Sequence, residues 1–127
     1  MIKVKINKAN NNIVSFIINN HAMPEGRDFQ SDACLVGEAF DMVCNSVSVL
    51  SQSVIIGLDE VLKLNCNYEM NDGYLKVDLE GFSPEEMQEA QVLMKTFEKS
   101  LESVILSLDQ MFGKKRREYI TLIKEEV

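Results

Sequence analysis

Residues 83–108 specify one long helix, and the rest of the chain has to be arranged to cover it. Ser83-Pro84-Glu85-Glu86 is a capping box with proline at the first helical position. After it, Met87, Ala90, Met94, Phe97, Leu101, Val104 and Leu108 recur at alternating steps of three and four residues, a single apolar stripe. Gly113 and the basic run at 114–117 supply a stop and a charge of the right sign for a helix C-terminus. A stripe of this length cannot stand alone in water.

What covers it reads as sheet. Residues 2–8 alternate, with Ile2, Val4 and Ile6 on one face and Lys3, Lys5 and Asn7 on the other. Residues 13–18 read as a hairpin partner across the polar turn at 8–12. Residues 64–70 alternate again, with Leu64, Cys66, Tyr68 and Met70 on one side. Asp72-Gly73 then announces a second hairpin with both central residues at positive φ, returning through Leu75, Val77 and Leu79. A last strand is expected at 119–123. Between the hairpins, residues 41–62 hold many β-branched side chains, but their length and lack of turn signals favour a helix. Its apolar residues spread around most of the circumference, so more than one side needs covering. A second subunit would cover the side that the sheet does not.

The expected fold class is therefore α+β, a two-layer arrangement of two long helices on a five-strand sheet in the order ββαββαβ. With 127 residues this is one domain, 1–127, carrying an extended loop at about 22–40. No tract has the ~18 consecutive apolar residues of a membrane span, and the opening residues lack a signal-peptide block. The expectation is a cytoplasmic protein with no membrane partner. Three loosely spaced cysteines fit a reducing compartment. Acidic residues outnumber basic ones 20 to 13, a net charge of −7, which argues against direct nucleic-acid binding and suits a basic partner.

His21 is the only histidine, just past the second strand, and Cys44 lies three residues after Asp41. If Asp41 caps the first helix, Cys44 sits beside free N–H groups and the positive end of the dipole. Both would lower a thiol pKa and hold an oxyanion, and a neighbouring imidazolium would lower the pKa further. The pair would then be a nucleophile and its general base. By residue type alone, a lone cysteine in an apolar helix is ordinarily a packing residue and a lone loop histidine ordinarily solvated. No close Cys or His pair exists, so neither metal nor cofactor is expected.

The run Asp41-Met42-Val43-Cys44-Asn45-Ser46-Val47-Ser48-Val49-Leu50-Ser51-Gln52 resembles the D-x-V-C-A-x-V-S-x-L-x-Q pattern of the ribosomal-processing cysteine proteases. Asn20-His21-Ala22 is similar to that family's G-H-A, and Gly73-Tyr74-Leu75-Lys76-Val77 to its fourth strand. The resemblance implies a metal-free, homodimeric endopeptidase. Its substrate would be a ribosomal protein precursor, protein twenty-seven of the bacterial large subunit, which loses an N-terminal extension. Cys44 and His21 would be catalytic, Asp41 a supporting cap, and an apolar pocket for an aromatic residue would be walled by Phe29 and Phe40. Asn20 and Asn45 replace the family's glycine and alanine, and His21 and Cys44 stand about ten residues further apart than is usual there. Cys34 lies nearer the usual distance, but the residues after it do not continue the pattern. The loop between is read as a lid or as a plain insertion, and a Cys34–Cys44 redox pair as the least supported function. The alternative to a protease is a non-catalytic dimeric ribosome-assembly or protein-binding module on the same fold.

Overall fold

The computed structural model describes residues 1–20 and 31–127, with side chains placed for 1–19 and 40–127. In chain order the elements are β1 (Ile2–Ala9), β2 (Asn12–Asn20), α1 (Ser31–Ile56), β3 (Asn67–Asn71), β4 (Tyr74–Asp78), α2 (Pro84–Phe112) and β5 (Ile120–Glu126). A single π turn (Gly57–Val61) extends α1, and a 3-10 turn (Gly113–Glu118) follows α2. The strands form one mixed sheet in the order β3-β4-β2-β1-β5, with β5 parallel to β1 and every other pair antiparallel. This is the two-layer ββαββαβ fold that the periodicities imply.

The β1–β2 hairpin sets the register. Its two-residue turn places Asn10 and Asn11 both at positive φ (52° and 68°), the handedness that matches strand twist. A bulge then interrupts the pairing, which steps from Asn7↔Ser15 to Lys8↔Ile13. The extra residue lets Ile13 and Phe16, three apart, both turn into the core, where they are 1% and 0% exposed. The backbone groups displaced by the bulge find partners elsewhere. Ile13 N–H donates to Gln91 Oε1 at 2.8 Å, Gln91 Nε2 donates to Ile13 O at 2.9 Å, and Leu79 N–H donates to Val14 O.

Core residues Ile2, Val4, Ile6, Phe16, Ile18, Leu75 and Val77 line one face of the sheet. On α2, the expected stripe lies against the core, with Ala90, Met94, Phe97, Leu101 and Leu108 buried and Met87 and Val104 half-buried. Phe97 stacks on Phe16 with ring centroids 4.3 Å apart. The capping box is formed as the sequence implies: Glu86 N–H donates to Ser83 Oγ and Ser83 N–H to the Glu86 carboxylate. Buried Glu98 forms ion pairs with Lys8 at 2.7 Å and Lys124 at 3.4 Å, tying α2 to β1 and β5.

Four sequence expectations are corrected. The first helix does not begin at Asp41; it is already formed at Ser31, so residues 31–40, assigned to the extended loop, are helical. The strand expected at 64–70 begins only at Asn67, and its five residues are all exposed at the sheet edge. Leu64–Cys66 instead belong to a connection with Lys63 and Asn65 at positive φ, held where Cys66 N–H donates to Asp59 Oδ1 at 2.8 Å. In the second hairpin only Gly73 takes positive φ (71°), not Asp72 as well. The last strand runs three residues beyond its expected end, to Glu126.

Gln91→Ala removes both clasps from a buried backbone. The expected loss is about 1–3 kcal/mol, the usual cost of stranding buried polar groups. It should be read from urea unfolding with an unchanged m-value.

Candidate active site

The sheet register brings the end of β2 to one edge of the molecule. Asn20 pairs with Ile2, and Ile2 also pairs with Ile120. At the same end β4 begins and β3 finishes, since Tyr74 lies opposite both Asn19 and Asn71. The α1 helix delivers Cys44 to this end. There the charge of the Met1 ammonium and the Cys44 thiol influence one another. His21 and Phe29 lie outside the described residues, as does the side chain of Cys34. His21 nevertheless follows Asn20 directly in the chain.

Around α1 the burial is periodic. Phe40, Val43, Val47, Ser51, Val54 and Leu58 face the core, all under 9% exposed. At 100° per residue, Cys44 stands on the flank of that stripe, together with Ser48 and Gln52. It is half-buried and packs against the core. Phe40, expected as a pocket wall, is instead a core residue at 6% exposure. The same turn of helix explains why: it lies four residues before Cys44 but rotated toward the sheet.

Asp41 is exposed and lies inside the helix, not at its start. The expectation that it caps the helix and sets Cys44 among free N–H groups is therefore overturned. At Cys44 the N–H groups belong to the interior of a helix already more than three turns long, so they are used in i→i−4 bonds and cannot receive an oxyanion. The dipole effect fades within the first turn. With that support absent, burial dominates and pushes the Cys44 thiol above its ordinary value. The Asp41 carboxylate adds to the rise, and the Met1 ammonium partly offsets it. The helix end therefore contributes none of the expected lowering, and the share assigned to His21 lies outside the described residues. Cys66 is pushed further, to about 12, by burial and by its hydrogen bond to the Asp59 carboxylate.

Sequence reasoning did not find the pocket beside Cys44. A cavity of about 200 Å³ lies between α1 and the β3–β4 hairpin, walled by Val47, Ser48, Ser51 and Gln52 on one side and by residues 70–75 on the other. A second groove, of about 280 Å³, runs between α1 and α2 past Met42, Val43 and Ser46. Helical geometry puts it on the opposite flank of α1 from the thiol. Among the described residues no cluster of metal-ligating side chains occurs.

The family model of the cysteine protease Prp matches residues 1–112. A search of curated proteins finds no significant match. Among solved structures, SMU.848 from Streptococcus mutans is 22% identical with a TM-score of 0.71, covering 100% of this chain and 96% of that one. The essential ribosomal processing protease Prp from Staphylococcus aureus, in complex with a substrate peptide, is 16% identical with a TM-score of 0.64, covering 98% and 99%. The same protease with a covalently linked product peptide superposes with a TM-score of 0.63 at the same identity. At such identities the likeness carries the fold.

The thiol can be titrated directly. Alkylation rate against pH for the substrate-free protein should show Cys44 ionising above the ordinary cysteine value of about 8.5. Asp41→Asn, by removing a negative neighbour, should bring that midpoint down.

Proposed function

Because the chain belongs to the cysteine protease Prp family, we propose that it is a cysteine endopeptidase with Cys44 as nucleophile and His21 as general base. The observation that carries this reading is convergence. The strand that leads into His21 ends beside Ile2, at the sheet end where the Met1 charge is felt by Cys44. In the reaction His21 takes the thiol proton and the thiolate attacks the scissile carbonyl carbon. The imidazolium then protonates the departing amine, leaving a thioester that water hydrolyses. Nothing in the helix lowers the thiol pKa, so in this reading ionisation depends on His21. Asp41 then acts on the thiol through its charge and not as a cap.

The substrate proposed is a basic ribosomal protein precursor, by analogy with the Staphylococcus aureus protease named for ribosomal processing. The chain's excess of acidic residues suits such a partner, and this work would place the protein in the cytoplasm. The raised thiol favours a second reading, a non-catalytic protein-binding module on the same fold.

The proposed working unit is a homodimer. Met42, Val49 and Ile56 recur at seven-residue steps on the outer face of α1 and are 71%, 59% and 49% exposed. The segment Phe40–Val61 is apolar and long enough to cross a bilayer by length and composition alone, yet it packs on the sheet. Covering its outer face with a second copy supports an interface of the obligate kind, over ~2,000 Å² in total.

Cys44→Ala should lower cleavage of a peptide spanning the precursor junction by at least about a thousandfold. His21→Ala should lower it by about 10²–10⁴, and Cys34→Ala should retain most activity. Full activity in Cys44→Ala with loss in Cys34→Ala would move the nucleophile to Cys34, and a wild type that cleaves no peptide would favour the binding-module reading. By light scattering, Val49→Asp should convert a dimer mass to a monomer mass.

A further inference from the structure

The cavity beside Cys44 has a composition that the catalytic reading alone does not explain. Its apolar surface comes from Met70 and Tyr74 on the hairpin, with buried Val47 and Leu75 beneath. Its rim is polar, formed by Ser48 and Gln52 on α1 and by the hairpin turn opposite. Asp72, at the tip of that turn, is the one charged side chain among the described lining residues, and it is exposed. Donors for an anion are few. Ser51 uses its hydroxyl on the carbonyls of Val47 and Ser48, at 2.9 and 3.0 Å. The helix N–H groups are engaged within the helix, and no lysine or arginine lines the space. Asp41, exposed on the same helix just before Cys44, adds a second negative charge at this end.

Apolar surface, polar rim and a single carboxylate at the lip match a long side chain with a methylene stem and a cationic head. We propose that this pocket is a substrate subsite for lysine or arginine, and that Asp72 is the residue that selects it. The inference rests on the protease reading and adds the substrate feature that this reading leaves open. Its distance from the nucleophile fixes the position. The stretch of α1 from Ser48 to Ser51 lies four to seven residues beyond Cys44, or about 6–10 Å at 1.5 Å per residue. An extended peptide advances about 3.3 Å per residue, so the cationic residue sits two or three positions from the scissile bond. An acidic side chain at that position would face Asp72 and be rejected.

The probe is a fluorogenic peptide set with a fixed aromatic residue at the cleaved bond. Lysine, norleucine or glutamate is placed in turn at each neighbouring position on both sides. The readout is the kcat/KM ratio of the lysine to the glutamate peptide, for wild type, Asp72→Asn and Asp72→Lys. Asparagine keeps the turn chemistry, so unfolding midpoints should not change. At one position two or three residues from the bond, wild type should prefer lysine, Asp72→Asn should reduce the ratio about three- to tenfold, and Asp72→Lys should invert it. Equal ratios in all three proteins would overturn the subsite while leaving Cys44-dependent cleavage, and so the protease reading, intact. If wild type cleaves no better than Cys44→Ala, the protease reading fails. Anisotropy of the same labelled peptides on Cys44→Ala then decides whether Asp72 still sorts them by charge: sorting keeps the pocket as a cation-selective peptide site, and its absence ends the proposal.

Discussion

The pairing of β1 with β2 is the constraint on which the rest of the molecule depends. A slip of one residue in a strand exchanges its two faces, and here it would put Lys3 and Lys5 into the core. Two asparagines at positive φ fix the turn, the bulge turns both Ile13 and Phe16 inward, and Gln91 on a distant helix grips the bulged backbone from the other layer. The grip makes the register a tertiary property as well as a local one. With the register set, β4 adds to β2 and β5 to β1, the inner face becomes continuous for both helices, and the chain leaves β2 beside Ile2. The location of the reactive end thus follows from the hairpin at the opposite end of the same two strands.

The chemistry at that end is that of a guarded thiol. Burial and the Asp41 carboxylate push the Cys44 thiol up, and the Met1 ammonium opposes them.

Much of this was legible in the chain, and what was not has identifiable physical causes. Period-two alternation located β1 and β4, the polar turn after β1 located β2 as its hairpin partner, and the capping box with its three-four stripe located α2 almost to the residue. The start of α1 was misread because Asp41 is a good capping residue placed just ahead of a strong apolar run, whereas Gly37 and the polar residues before it weaken the helical signal. Tertiary packing of Phe40 and Val43 overrides that local cue. The alternation of Leu64, Cys66, Tyr68 and Met70 was real but spans a turn and an edge strand. There the sheet ends, and one side of β3 has nothing to pack against. The π turn at Gly57–Val61 had no sequence signature. The glycine that opens it does have a reason, a close approach to α2: a Cβ on Gly57 would lie 2.6 Å from Leu93 Cδ1. The family was legible in the segment around Cys44, and its model matches residues 1–112. The pocket was not legible, because it is assembled from α1 and a hairpin some twenty residues later.

The parallel pairing of β1 with β5 joins residues 2–8 to residues 120–126, so this ladder closes only after almost the whole chain has been made. Each doubling of loop length adds only about 0.6 kcal/mol to closure, so the cost falls on the folding rate more than on final stability. Until β5 arrives, β1 presents an open edge with Ile2, Val4 and Ile6 along one face, the kind of strand that recruits other chains. Lys3 and Lys5 interrupt that edge with charge during the wait. Once β5 has docked, Lys5 pairs with Glu125 at 3.0 Å, so the residue that discourages aggregation in the unfinished protein becomes a link across the completed ladder.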